Sequence, residues 1–369
     1  MFFSSAKKDK QAKSSLIQQS LCDFFSIAHS HSALFDVIIG AQQISIALPF
    51  ACSSRHGELH HHLLNLCRQN KLEQSISLTT NIPIFDSKPA LLPRVKNIIA
   101  VSSGKGGVGK SATAVNLACA LKLEGARVGI LDTDIYGPSL PMMLGNSTAR
   151  PEPLGEREMQ PIMVEGIAVN SIGYLLSAEH AAIWRGPMAS KAITQLVSET
   201  HWPLLDYLIL DLPPGTGDIH LTLTQQVPIS GAIVVTTPQN IATADAQKGI
   251  AMFNKLNIPV LGLVENMSYF DCDCGKRHYP FAQGGSARLL EQSKCELLAQ
   301  IPLTTSIQEC ADTGQLLMMQ SKPDLKQVQE SYRALARATS LALAMQVPVH
   351  KLAKQSGANP EQSISIVQV

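Results

Sequence analysis

The sequence predicts an α/β protein: a mostly parallel sheet with helices on both faces, preceded by a small α+β domain. Three observations carry this. From about residue 96 onward, short continuous apolar runs (NIIAVSS, RVGILDTD, DYLILDLPPG, GAIVVTTPQ, VLGLVENM) alternate with helical stretches, the pattern of strands covered on both faces. A glycine-rich loop, GKGGVGKS at 104–111, stands directly after the first of those runs and directly before a helix. Before residue 83 the pattern differs, with alternating apolar positions in DVIIGAQQISIALPF and a helical GELHHHLLNLCRQN.

Taken in order, residues 1–20 read as a polar, disordered tail and 21–82 as the small α+β domain. Three prolines in IPIFDSKPALLPRVK mark 83–95 as a linker. Residues 96–347 form the main α/β domain, closed by an apolar-striped helix over 323–345, and 348–369 read as a flexible tail. At 369 residues, with 45% hydrophobic and 16% charged residues, the chain has the balance of a soluble globular protein. A net charge of +1 implies no general attraction to nucleic acid or anionic lipid. The polar, basic N-terminus has no apolar signal core behind it, and no run of about 18 apolar residues suggests a membrane span. A cytoplasmic location is expected, with reduced thiols. The 8 cysteines are then buried thiols or metal ligands, and only Cys272 and Cys274 are closely spaced.

The loop Gly104, Lys105, Gly106, Gly107, Val108, Gly109, Lys110, Ser111 matches G-x-x-x-x-G-K-[ST]. Its glycines let the backbone wrap until N–H groups face phosphate oxygens, and the helix N-terminus adds its positive end. Lys110 is expected to reach the β- and γ-phosphates of ATP, and the Ser111 hydroxyl to ligate Mg²⁺. An ordinary phosphate loop does not need Lys105. Two further strand ends supply acids: Asp132 and Asp134, two apart on one side of an extended segment, and Asp211 before a Pro- and Gly-rich turn. Carboxylates at strand C-termini beside a phosphate loop are where Mg²⁺ and an attacking water are managed. Asn266, at the end of LGLVEN, either reads the adenine edge with its amide or forms a turn.

GKGGVGKS resembles the deviant phosphate loop of the MinD/ParA/nitrogenase iron protein superfamily. The resemblance implies a homodimer in which Lys105 reaches the phosphates bound by the other subunit, neutralising charge in the transition state as an arginine finger does. It implies further that Asp134 orients or deprotonates the water, Asp132 supports the metal side and Asp211 holds the Mg²⁺ shell through water. The stretches 134–140 and 211–218 would be γ-phosphate-sensing switches.

DTDIYGPSLPMMLG, WRGPM at 184–188, LDLPPGTGD, VTTPQ with A-x-x-D-x-x-K-G, ENMSYF, and IPL followed by IQECADTG closely resemble the Mrp/ApbC iron–sulfur carrier proteins over about residues 95–345. That family implies a homodimeric ATPase holding a labile 4Fe–4S cluster between its subunits and passing it from a cluster donor to apo-protein recipients, with neither nucleic acid nor membrane as partner. Its ligands are a C-x-x-C pair. Here the stretch reads C-x-C, so Cys272 and Cys274 are the cluster ligands by resemblance. On an extended backbone, residues i and i+2 stand about 6.5–7 Å apart on one side, able to reach different irons. A four-thiolate zinc site and a lapsed site remain alternatives at this stage, and His278 is either an added ligand or solvated. The triplet His60–His62 reads as surface. The small domain resembles the one that often precedes the ATPase in bacterial relatives, without its Asp-Pro-Glu stretch. A positioning ATPase of the MinD/ParA kind would need a basic amphipathic C-terminal helix, which SGANPEQSISIVQV does not provide.

Overall fold

The computed structural model describes residues 2–85, 92–135, 137–175, 186–272 and 274–346. Residues 86–91 of the linker assigned to 83–95, the first part of WRGPM, and the tail assigned to 348–369 lie outside the described residues. By its contacts the chain divides into two units, Met1–Pro83 with Ala344–Val369, and Ile84–Leu343.

The first unit corrects the disordered tail expected over 1–20. Helix α1 spans Phe2–Phe24. Ser14, Ile17, Gln18 and Leu21 recur at helical spacing and so share one face. Ile17 and Leu21 are buried, while Ser14 Oγ donates to the Val37 carbonyl (3.2 Å) and Gln18 Nε2 to the Phe35 carbonyl (2.8 Å). Partners on β1 and on the residue just before it give this polar segment its order. The alternating stretch after it folds as a hairpin, β1 (Asp36–Ile39) antiparallel to β2 (Gln43–Leu48). After α2 (His56–Gln69), β3 (Ser75–Thr80) returns parallel to β2. The histidine triplet is not all surface: His62 Nε2 meets Ser20 Oγ at 2.8 Å, while His61 is exposed.

The second unit is the expected α/β fold. Its strands are β4 (Val95–Ser103), β5 (Val128–Asp132), β6 (Ile162–Val164), β7 (Ile167–Ser171), β8 (Leu205–Asp211), β9 (Gly231–Thr236), β10 (Val260–Glu265) and β11 (Leu297–Gln300). They form an 8-stranded sheet in the order β11-β10-β9-β4-β8-β5-β7-β6, parallel throughout except for β6 at the edge. Every residue of β5, β7, β8 and β9 is buried, and β5, β8 and β9 read in the sequence as unbroken apolar runs for that reason. Helices α3 (Lys110–Leu123), α4 (Gly186–Glu199), α5 (Asp218–Gln226), α6 (Asn240–Lys255), α7 (Ala287–Ser293), α8 (Thr305–Asp312) and α9 (Lys326–Met345) surround it. The core joins strand residues such as Ala100, Leu208, Leu210 and Val234 to Phe253 of α6 and Leu223 of α5.

Parallel register decides what meets at the C-terminal edge. Asp211 of β8 stands level with Asp132 of β5 on one side and with Val101 of β4 on the other. Two carboxylates expected from separate motifs are therefore neighbours, beside the loop that leaves β4.

Candidate functional site

The loop between β4 and α3 is shaped by its glycines. Gly107 and Gly109 hold φ of +81° and +82°, a left-handed conformation costly for residues with a Cβ. Gly104 presses against the backbone of Asp245 on α6: an added Cβ would lie 2.2 Å from its carbonyl carbon. A Cβ on Gly109 would stand 2.2 Å from Asn266 Nδ2. That contact shows what Asn266 does here. Its Nδ2 donates to the Val108 carbonyl at 2.8 Å, bracing the loop from across the sheet. This bond uses one of the two Nδ2 hydrogens, and the second N–H and Oδ1 keep the donor and acceptor expected for reading an adenine edge.

Lys110 is the cationic centre. It is 6% exposed, with Nζ 2.6 Å from Asp211 Oδ1, 3.2 Å from Ser111 Oγ and 3.8 Å from Asp134 Oδ2. The structure thus brings Lys110, Ser111, Asp134 and Asp211 together. One ammonium among three carboxylates leaves the cluster short of positive charge. Part of that is met by a proton: burial first, then the neighbouring Asp211, pushes the Asp132 carboxyl up to about 7.

Asp132 spends its oxygens on its own surroundings. Oδ1 accepts from the Asp134 N–H (3.0 Å), and Oδ2 accepts from Ser171 Oγ (3.0 Å) and lies 3.4 Å from the Leu140 N–H. It therefore pins both ends of the 134–140 stretch, whose Tyr136 is outside the described residues, instead of pointing a free oxygen at a metal. Asp211 differs. Its Oδ2 is fully buried without a hydrogen-bond partner. A buried carboxylate oxygen with no partner is costly unless something else occupies its lone pairs. That orphaned oxygen and the nearby Ser111 hydroxyl fit a hydrated Mg²⁺, an oxygen-seeking cation that keeps several of its waters.

The stretch after Asp211 is tied to the sheet. Leu212 N–H donates to Val101 (3.1 Å), Gly215 N–H to Ser103 (2.9 Å), and Thr133 Oγ1 to the Asp211 carbonyl (2.7 Å). His220, on the first turn of α5, is 1% exposed, with Nδ1 3.3 Å from the Pro213 carbonyl and no partner at Nε2. Burial, aided by Lys110, pushes its pKa down to about 4, so the ring is neutral and Nδ1 donates. Lys105 is half-buried in the loop, and its carbonyl accepts from Ser103 Oγ at 2.9 Å.

The cysteine pair lies on the other side of Asn266. Glu265, fully buried, is desolvated, yet bonds from Ser268 (2.5 Å), Gln300 (2.9 Å) and Ser286 hold its carboxyl below the usual range. The chain then runs into a short ladder pairing Phe270 with His278 and Asp271 with Arg277. Here the expectation of an extended C-x-C is corrected. Gly275 N–H donates to the Cys272 carbonyl (2.8 Å), closing a turn that folds Cys274 back. Cys272 and Cys274 come together with His278, their ligand atoms all within 4.8 Å of one another. The Cys274 thiol is held below its ordinary value by Cys272, then by the Lys276 backbone.

Three contributors escaped sequence reasoning: Ser171, His220 and the bracing role of Asn266. Ser171 ends β7, a strand hidden because the tight turn at Glu165 and Gly166, both with positive φ, cuts the apolar run short. The sole signal for His220 was its place seven residues after Pro213 in a turn-to-helix stretch.

A glycine loop at a helix N-terminus, with a buried lysine and strand-end carboxylates, defines a P-loop nucleotide-binding protein. Residues 94–340 match the family described as "ParA: NUBPL iron-transfer P-loop NTPase", and the chain belongs to that family. The iron-sulfur cluster carrier protein of Escherichia coli K12 is 58% identical over 66% of this chain, and the chain spans 65% of that relative's length, just under two thirds. The iron-sulfur cluster carrier protein of Haemophilus influenzae is 50% identical over 74% of this chain and 75% of its own. Among solved structures, a nucleotide-binding protein from Archaeoglobus fulgidus, in complex with ADP and with cobalt found in it, superposes with a TM-score of 0.56 at 37% identity, over 63% of this chain and 92% of that one. Among the described residues, no helix is long and apolar enough to cross a membrane.

Proposed function

We propose that the chain is an ATP-dependent carrier of iron–sulfur clusters, acting as a homodimer that holds a labile 4Fe–4S cluster between the Cys272–Cys274 pairs of its two subunits and passes it to apo-proteins. The observation that carries this reading is one segment. Asn266 grips the phosphate loop, and six residues later the same segment presents Cys272 on an exposed turn. The names of the relatives support the cargo.

In the nucleotide-free arrangement Lys110 neutralises Asp211. Arrival of ATP offers Lys110 the β- and γ-phosphates, and the Asp211 carboxylate is released toward the metal shell. Ser111 and, through water, Asp211 would hold Mg²⁺, which would supply charge to offset that of the phosphates. Asp134, near Lys110 at the start of the 134–140 stretch, orients the attacking water. Lys105 of each subunit supplies a cation to the nucleotide of the other. Movement of the loop pulls on Asn266, and through Glu265 and Ser286 on the segments flanking the cysteine turn.

The test is anaerobic reconstitution followed by transfer to an apo-ferredoxin, with ATP, ADP or no nucleotide. About four irons and four sulfides per dimer, with a nucleotide-dependent transfer rate, are expected. Identical rates in all three states would overturn the coupling, and absence of any cluster would overturn the carrier reading.

A further inference from the structure

Turning the chain back one residue early changes which side chains meet at the hairpin tip. Side chains alternate along a ladder, so Tyr269, Asp271 and Arg277 share one face while Phe270, Cys272 and His278 share the other. The first face is fastened. Arg277 forks onto Asp271 at 2.7 and 3.0 Å and lies 3.7 Å over the Tyr269 ring, and Gln327 of α9 donates to Asp271 at 2.7 Å. The second face is left to the metal-binding side chains. Cys272 is partly exposed, and Cys274 and His278 are exposed.

We propose that Cys272, Cys274 and His278 of a single protomer form a site for one borderline-soft divalent cation of the zinc type, a loading state separate from the bridging cluster. Zinc binds sulfur at about 2.3 Å and imidazole nitrogen at about 2.0 Å in tetrahedral geometry, which sets its ligand atoms roughly 3.5–3.8 Å apart. Three donors already within 4.8 Å of one another stand at most about 1 Å outside that spacing, a gap small against the sweep of a side-chain rotation. Two thiolates and an imidazole select zinc, cobalt or ferrous iron over magnesium and calcium, which seek oxygen. Three protein ligands leave a fourth position for water or an incoming thiolate. Iron–sulfur clusters take thiolates by preference, so His278 is the group that distinguishes the single-ion mode from the shared one. Loading one ion on each protomer occupies the thiolates a cluster needs.

This inference rests on the carrier reading only in naming the cluster as competitor, and the experiment separates the two. The metal-free, full-length chain is titrated anaerobically with Co²⁺, followed by displacement with Zn²⁺, and iron and sulfide uptake is measured on the wild type with and without prior Zn²⁺. One Co²⁺ per protomer with thiolate-to-cobalt charge-transfer absorption is expected. His278→Ala should weaken Co²⁺ binding by more than about 100-fold, since loss of even an outer-shell partner costs 10–100-fold. His278→Cys should restore binding with stronger charge transfer, and circular dichroism checks that both variants fold. Zn²⁺-loaded wild type should take up no cluster. Unchanged Co²⁺ affinity in His278→Ala, or one Co²⁺ per two chains, overturns the site whatever the cluster does. Normal Co²⁺ binding in a wild type that never accepts a cluster leaves this site standing and removes the carrier reading.

Discussion

The phosphate-loop end of the sheet and the cysteine hairpin are built on opposite principles. Around Lys110 the charged groups are buried: Lys110 is 6% exposed, and Asp132 and Asp211 are fully enclosed. At the hairpin the reactive atoms face outward, on a turn held by an exposed Arg277–Asp271 pair. Phosphoryl transfer gains from preorganised charges in a water-excluded site, where electrostatics are strong. A cargo that must leave gains from accessible ligands and few supporting contacts. The difference teaches that stability and function are coupled at the first site and nearly independent at the second.

Variants test that contrast, most severe first. Lys110→Ala should reduce ATP hydrolysis to background in a phosphate-release assay. It should also lower stability by about 3 kcal/mol, because it strands the buried Asp211 without its cation. Lys105→Ala should lower kcat by about 10³-fold or more, the worth of a cation supplied in trans, with nucleotide affinity within a few fold and an unchanged melting temperature. A melting temperature that falls with it would break the division between the two lysines.

His220→Gln tests burial through pH. The folded ring has its pKa pushed down to about 4 from the ordinary histidine value of 6.5, so between those values the unfolded chain binds the extra proton. Stability is full above pH 6.5 and is lost as pH falls toward 4, by on the order of 3 kcal/mol, and the variant should lack this limb in urea unfolding. Asn266→Ala should cost about 1–2 kcal/mol by leaving the buried Val108 carbonyl without its donor. If the segment links the two sites, the variant should also flatten the dependence of cluster transfer on nucleotide. Smallest of all, Cys272→Ala/Cys274→Ala should change the stability of the metal-free protein by less than about 0.5 kcal/mol, the range of surface substitutions. A larger loss would mean that the hairpin supports the fold.

The phosphate loop was legible because its chemistry is local. A glycine-rich turn between an apolar strand and a helix encodes its own geometry, and Lys110, Ser111 and the strand-end acids came with it. The fold class was legible for the same reason, since a strand buried on both faces must read as a continuous apolar run. Shorter elements escaped. β7 and β11 are 5 and 4 residues long, too brief for periodicity to stand out. α1 looked like a tail because its polar side chains find their partners on another element.

By itself the sequence determined which residues carry chemistry: two lysines in one glycine loop, three acids at strand ends, and a pair of thiols. Only the tertiary structure decided how they are used. Parallel register put Asp132 beside Asp211 and turned one into a brace for the 134–140 stretch and the other into an orphaned oxygen. Packing across the sheet set Asn266 on a carbonyl 158 residues away. A turn closed at Gly275 brought His278 to the cysteines. Each of these depends on distances between segments far apart or folded back on one another, which local patterns of apolar and polar residues do not specify.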